Sequence, residues 1–98
     1  MNKNFAKNKV VVITGGAKKI GRYTALKLAE QGFNILIHTG GKSIGDAKTT
    51  VNLIKDHKVN SSYVSGDLDN IKTIKKIKLA AEKLGVPSIL INNAGLRI

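Results

Sequence analysis

Val10 to Arg22 reads VVVITGGAKKIGR. Val10 to Ile13 is the continuous β-branched run of a strand buried on both faces. Thr14, Gly15 and Gly16 end that run in a turn, and Gly21 opens an amphipathic helix. A strand that passes through a glycine-bearing turn into a helix gathers backbone N–H groups at the positive end of the helix dipole. A phosphate group is stabilised at such a place.

The pattern continues outward from this stretch. Lys9 to Thr14 forms the first strand, and Ile20 to Gln31 the first helix, with Ala25, Leu28 and Ala29 on its buried face and Gly32 as its stop. Asn34 to Thr39 is a second strand, broken by Gly40 and Gly41. Ser43 with Asp46 three residues on has the spacing of a capping box. The helix that follows carries Ile44, Ala47, Val51 and Ile54 at spacings of three and four. Ser62 to Ser65 is a short third strand. Asp69 or Asn70 caps a third helix, whose face is Ile71, Ile74, Ile77, Ala81 and Leu84. Gly85 and Pro87 stop that helix, and Ser88 to Asn92 is the fourth strand.

Strands alternating with helices imply a parallel sheet with right-handed crossovers. The expected fold class is α/β, a Rossmann-like doubly wound parallel sheet of four strands and three helices. The first strand lies centrally, with the second and third to one side and the fourth to the other. Residues 14–16, 38–41, 66–68 and 92–95 then converge at the carboxyl edge, where a ligand crevice belongs. Residues 1–8 are expected to be a flexible amino-terminal arm, and 9–98 a partial dinucleotide-binding domain.

Composition narrows the function. A chain of 98 residues is at most one domain. It has no Cys, which excludes a disulfide framework and a thiolate metal site. The start, MNKNFAKNK, is too polar for a secretory signal. No apolar run approaches the roughly 18 residues of a membrane span. A cytoplasmic protein without membrane contact is expected. The net charge of +11 raises the question of nucleic acid. Most of the lysines fall between the apolar positions of helices, as Lys48 and Lys55 do on the second and Lys72, Lys75, Lys76, Lys78 and Lys83 on the third. Arg is confined to Arg22 and Arg97, and Tyr63 is the sole aromatic of the second half, so there is no platform for stacking bases. A solvated basic surface with a site for an anionic ligand fits better than nucleic-acid binding.

Thr14, Gly15, Gly16, Lys19 and Gly21 spell T-G-x-x-x-K-x-G. This resembles the turn of the short-chain dehydrogenase/reductase family, usually T-G-x-x-x-G-x-G. Lys19 replaces the middle glycine, as in the pteridine-reductase-like branch, for which the resemblance implies NADPH. Asp67 and Leu68 after the third strand match the family's adenine-holding position. Asn92-Asn93-Ala94-Gly95 matches its N-N-A-G segment, so Asn93, Ala94 and Gly95 are candidates beside the cofactor's ribose. The resemblance runs from about Lys9 to Gly95 and is confined to the cofactor-binding half of the family fold. It assigns Gly15, Gly16, Lys18, Lys19, Ile20 and Gly21 to the cofactor's phosphate turn.

An NAD site places a carboxylate at the end of the second strand to accept from the ribose 2′-OH. His38, Thr39, Gly40 and Gly41 stand there, with no acid. Lys18, Lys19, Lys42 and Ser43 offer charge and hydrogen bonds to a 2′-phosphate instead. NADP(H) is therefore expected in preference to NAD(H). His38 has two open roles, a contact to the adenosine phosphate and a polar strand end.

Tyr23 and Lys27 have the Y-x-x-x-K spacing of the family's catalytic pair, but on the first helix instead of the one after a fifth strand. They are expected on its polar side, without a catalytic role. His57 reads as solvated, Tyr63 and Phe33 as packing residues, and Phe5 as packing the arm. The resemblance puts the catalytic serine, tyrosine and lysine beyond N-N-A-G, so no catalytic residue is assigned and this chain alone is expected to be truncated and inactive. The complete protein is expected to be a homo-oligomeric oxidoreductase acting on a ketone, a 3-oxoacyl thioester or a pterin. The alternatives are a non-catalytic NADP(H) binder and, more remotely, a basic nucleic-acid-associated protein. One helix on the sheet's second face, beside an apolar fourth strand at the edge, leads to an expectation of weak stability and self-association in isolation.

Overall fold

The computed structural model describes residues 4–93. Its sheet is parallel, in the order β3-β2-β1-β4, with β1 at Lys9–Thr14, β2 at Asn34–Thr39, β3 at Ser61–Ser65 and β4 at Val86–Asn92. Helices α1 (Lys19–Glu30), α2 (Ile44–Ile54) and α3 (Ile71–Leu84) connect them in turn.

Both central strands are apolar at every second position on each face, and the two sets of side chains make two separate cores. Val11 and Ile13 of β1 and Ile35 and Ile37 of β2 pack with Ala25 and Ala29 of α1 and Ile54 of α2. Val10 and Val12 with Leu36 point the other way, onto Ala81 of α3 and the flanking Ile77 and Leu84. The alternation follows from the two-residue period of a strand. Complete burial of an Ile or Leu side chain contributes about 1.5–3 kcal/mol, so this sandwich dominates stability. The first core is the larger. On the other side Ile71, Ile74 and Leu79 of α3 and Val86, Ile89 and Leu90 of β4 remain exposed.

Helix ends follow local chemistry. Gly32, at φ 99°, closes α1 as expected, and its N–H donates to the Ala29 carbonyl. Asn70 caps α3, its Oδ1 accepting from the Lys72 N–H at 2.9 Å. Asn34 is buried and spans two elements. Its Nδ2 donates to the Leu84 carbonyl (2.7 Å) and its Oδ1 accepts from the Asn60 N–H (3.0 Å), tying the end of α3 to the start of β3.

Four local features depart from the sequence reading. Helix α1 runs Lys19–Glu30, one residue earlier at each end than Ile20 to Gln31. Pro87 is a residue of β4, which begins at Val86. As an edge strand β4 tolerates a missing N–H, and the register shifts beside Pro87, between its partner Val10 and Val11. Strand β3 starts one residue earlier, at Ser61. The capping box at Ser43 does not form. A 3-10 turn at Gly41–Ser43 leads into α2, and the Ser43 side chain makes no cap bond. The Asp46 carboxylate faces two cations of the neighbouring segment instead, Lys18 and Arg22, described below.

Residues 4–8 make successive turns along the first core. Ala6 is fully buried there, Phe5 sits edge-on to Phe33 with centroids 6.4 Å apart, and Lys9 Nζ lies 3.7 Å over the Phe5 ring. Among the described residues, no helix is long and apolar enough to cross a membrane.

Candidate functional site

Register brings the strand ends together. Thr14 is paired with His38 on one side and Asn92 on the other, and Thr39 with Ser65, so all four strands finish at one edge. The strand order reverses at β1, with β2 and β3 added on one side and β4 on the other, and that is where α/β sheets open a crevice.

The turn from Thr14 to Gly21 is held from several sides. The Gly16 N–H donates to the His38 carbonyl (3.2 Å), and Asn93 Nδ2 donates to the Gly15 carbonyl (2.9 Å). Thr14 Oγ1 donates to Asn92 Oδ1 (3.0 Å), joining the turn to the end of β4. Gly15 adopts φ 65°, a conformation glycine takes without steric cost. Gly21 has no room for a side chain: a Cβ there runs into the Gly15 carbonyl oxygen and lies 2.7 Å from Gly16 Cα and 2.8 Å from Asn93 Nδ2. Helix α1 starts with Lys18 extended at its N-cap, no side-chain cap and no acid in its first turn. Its positive end is thus left for an anion from outside.

Beside the turn lies a cavity of about 640 Å³. His38, Gly40, Gly41, Lys42 and Ser43 line it from the β2 end, and Gly66, Asp67 and Leu68 from the β3 end. Five of the candidate site residues named from the sequence, His38, Lys42, Ser43, Asp67 and Leu68, thus share this cavity, while the turn residues 15–21 are not part of its lining. Lys42 is exposed. Asp67 uses one carboxylate oxygen in a local turn, accepting from the Asp69 N–H at 2.9 Å.

Several candidates take more specific places than the sequence shows. His38 is 4% exposed and its Nε2 lies 2.8 Å from the Gly66 carbonyl oxygen, which makes it the bridge between the ends of β2 and β3. Its Nδ1 is buried without a hydrogen-bond partner. The Thr39 side chain is buried, and its carbonyl accepts from the Gly66 N–H at 3.0 Å. Lys18 Nζ stands 4.0 Å from an Asp46 carboxylate oxygen, with Arg22 3.7 Å from the other. Lys19 and Ile20 are exposed. Ala94 and Gly95 lie outside the described residues. Tyr23 and Lys27 lie on the solvent face of α1, Lys27 Nζ being 5.6 Å from the Tyr23 ring centroid and 3.5 Å from Glu30.

Sequence reasoning missed Thr50. It is fully buried on α2, and its hydroxyl donates to the Ala17 carbonyl at 2.6 Å. The signal was present: Ala47, Thr50 and Ile54 are spaced three and four apart, and a hydroxyl in such an apolar stripe calls for a buried partner.

Comparison with known proteins agrees with this geometry. A family model described as short chain dehydrogenase matches residues 9–98. The 3-oxoacyl-(acyl-carrier-protein) reductase FabG of Staphylococcus epidermidis is 34% identical over 90 residues, covering 91% of this chain and 36% of that protein. The L-2,3-butanediol dehydrogenase of Corynebacterium glutamicum is 38% identical over 90 residues, covering 91% of this chain and 35% of its own length. Among solved structures, FolM alternative dihydrofolate reductase 1 from Brucella canis, complexed with NADP, superposes with a TM-score of 0.82. It is 31% identical, over 98% of this chain and 37% of that one. Carveol dehydrogenase from Mycobacterium avium, in complex with NAD, has a TM-score of 0.82 at 26% identity, over 92% of this chain and 36% of that one. The chain therefore spans little more than a third of the length of these relatives. A match over nearly all of its own residues, on the sheet and glycine turn described above, makes this chain a member of the short-chain dehydrogenase family.

Proposed function

We propose that this chain carries the NADP(H) site of an oxidoreductase that acts on a carbonyl or the corresponding alcohol. The observation that carries the reading is the wall at the end of β2: Lys42 and Ser43 line the cavity there, and the segment from His38 to Ser43 holds no carboxylate. A 2′-phosphate meets a cation and a hydroxyl at that place, whereas a free ribose 2′-OH lacks the acid that usually accepts from it.

The residues fit such a ligand. Gly15, Gly16 and Gly21 make a turn whose tightest point excludes even a methyl group. That packing sets backbone N–H groups and the start of α1 against a pyrophosphate. Asp67 and Leu68 border the adenine side, and Asn93 the ribose side. Lys19 adds positive charge beside the turn. When bound, the cofactor supplies or accepts a hydride at its nicotinamide ring. The residues assigned here bind and orient it, and none is assigned to move the proton. Relatives acting on 3-oxoacyl groups and on a 2,3-diol support a carbonyl or alcohol as the substrate class of the whole protein.

Equilibrium titration of the chain with NADPH and NADH, followed by nicotinamide fluorescence, tests the reading. NADPH is expected to bind at least about tenfold more tightly, a difference of about 1.4 kcal/mol. Equal affinities, or tighter NADH, overturn the preference. Absence of binding by either overturns the site.

A further inference from the structure

We propose that Thr50 and Arg22 are positioning residues that hold the phosphate turn in its binding conformation without touching the ligand; this rests on the dinucleotide reading above. Ala17 is the turn residue between the glycines and α1, and its carbonyl oxygen points back into the protein. It accepts from Thr50 Oγ1 at 2.6 Å and from Arg22 Nε at 3.2 Å. Arg22 Nε also lies 2.8 Å from Thr50 Oγ1, so guanidinium, hydroxyl and carbonyl form one closed cluster. A second guanidinium nitrogen of Arg22 donates to the Asp46 carbonyl at 3.2 Å, which fastens α1 to α2.

The cluster decides which way the turn faces. A peptide carbonyl aimed into the crevice repels a phosphate, and an N–H attracts it. The Gly15 carbonyl is held away by Asn93 and the Ala17 carbonyl by Thr50 with Arg22. With these two acceptors engaged inside the protein, the turn cannot flip them toward the ligand without leaving buried donors unpaired. Thr50 lies on α2, in the helix body past its Ser43 N-cap, so it braces the turn from a point remote from Lys42 in the chain. An aliphatic residue fills the stripe between Ala47 and Ile54 equally well and suits a helix interior better, which singles out the hydroxyl as the reason for threonine.

Thr50→Val keeps the shape and removes the donor. The probes are NADPH, which carries the pyrophosphate, and adenosine 2′-monophosphate, which reaches the Lys42 wall without one. The expected result is about a tenfold weaker binding of NADPH, adenosine 2′-monophosphate within twofold of the parent chain, and restoration by Thr50→Ser. Arg22→Lys retains the charge and loses the Nε–H; about a threefold loss for NADPH alone is expected, and this variant decides the matter if Thr50→Val does not fold. Unchanged NADPH affinity overturns the proposal, as does an equal loss for both ligands, since that is the mark of a general packing role. A parent chain that binds neither probe overturns the dinucleotide reading itself, whereas a parent that binds both while Thr50→Val matches it sinks the positioning role alone.

Discussion

Gly21→Val is expected to abolish dinucleotide binding, weakening NADPH by about 100-fold or more, roughly 3 kcal/mol. The sequence alone suggests that a side chain here shields the backbone from the pyrophosphate. The geometry locates the conflict inside the protein. A Cβ meets the carbonyl oxygen of Gly15 and crowds Gly16 and Asn93, all backbone or tethered groups with no free path away. Relief requires either α1 to move off the turn, which turns the first helical N–H groups away from the crevice, or Gly15 and Asn93 to give way, which breaks the bond between them. Overpacking of this kind costs about 1–3 kcal/mol where side chains give way, and more where backbone is met. Circular dichroism alongside the titration separates loss of the site from loss of the fold. A folded Gly21→Val chain that binds NADPH within threefold of the parent contradicts the assignment of this turn.

Lys42→Asp is the second large effect, and it is selective. The substitution replaces a positive charge on the cavity wall with a negative one, a swing of two charges beside the proposed 2′-phosphate. Two unit charges 4 Å apart interact by about 4 kcal/mol near a protein surface before salt screening. Lys42 is exposed, which reduces the effect several-fold. A loss of about 30-fold for NADPH is expected, against less than threefold for NADH. The gap should narrow as salt is raised. Equal losses for both cofactors mean that the 2′-phosphate contact lies elsewhere, Lys19 being the next candidate.

The sheet was legible because its two central strands are buried on both faces and therefore carry unbroken aliphatic runs. Strand order followed from the three intervening helices and the handedness of crossovers. Local end signals that need one side chain, such as Asn70 and Gly32, were also readable. What stayed hidden depends on partners distant in the chain. Ser43 and Asp46 have the spacing of a capping box, but Asp46 faces Lys18 and Arg22 across the α1–α2 contact, and spacing alone carries no information about that. Pro87 was read as a helix stop because its tolerance in β4 depends on the strand being an edge with a shifted register.

The site shows the same division. The glycines, Lys42, Ser43, Asp67 and Leu68 could be named because each follows a strand end. The inward turn of His38 onto the Gly66 carbonyl could not, since that acceptor belongs to β3. Lys18 and Lys19 read alike in sequence, yet only Lys18 has a carboxylate close by among the described ion pairs. The burial of Thr50 was legible from its place in the α2 stripe, but its partner was not, since the Ala17 carbonyl is a backbone atom that carries no sequence signature.

The most direct measurement is an amide chemical-shift map of the chain with NADPH added in steps. Saturable shifts are expected in the turn from Gly15 to Gly21, in His38 to Ser43 at the end of β2 and in Gly66 to Leu68 at the end of β3. Shifts confined to the lysine-rich surface of α3, around Lys72, Lys75, Lys76 and Lys78, would show an anion held by charge alone and contradict a dinucleotide site at the carboxyl edge of the sheet.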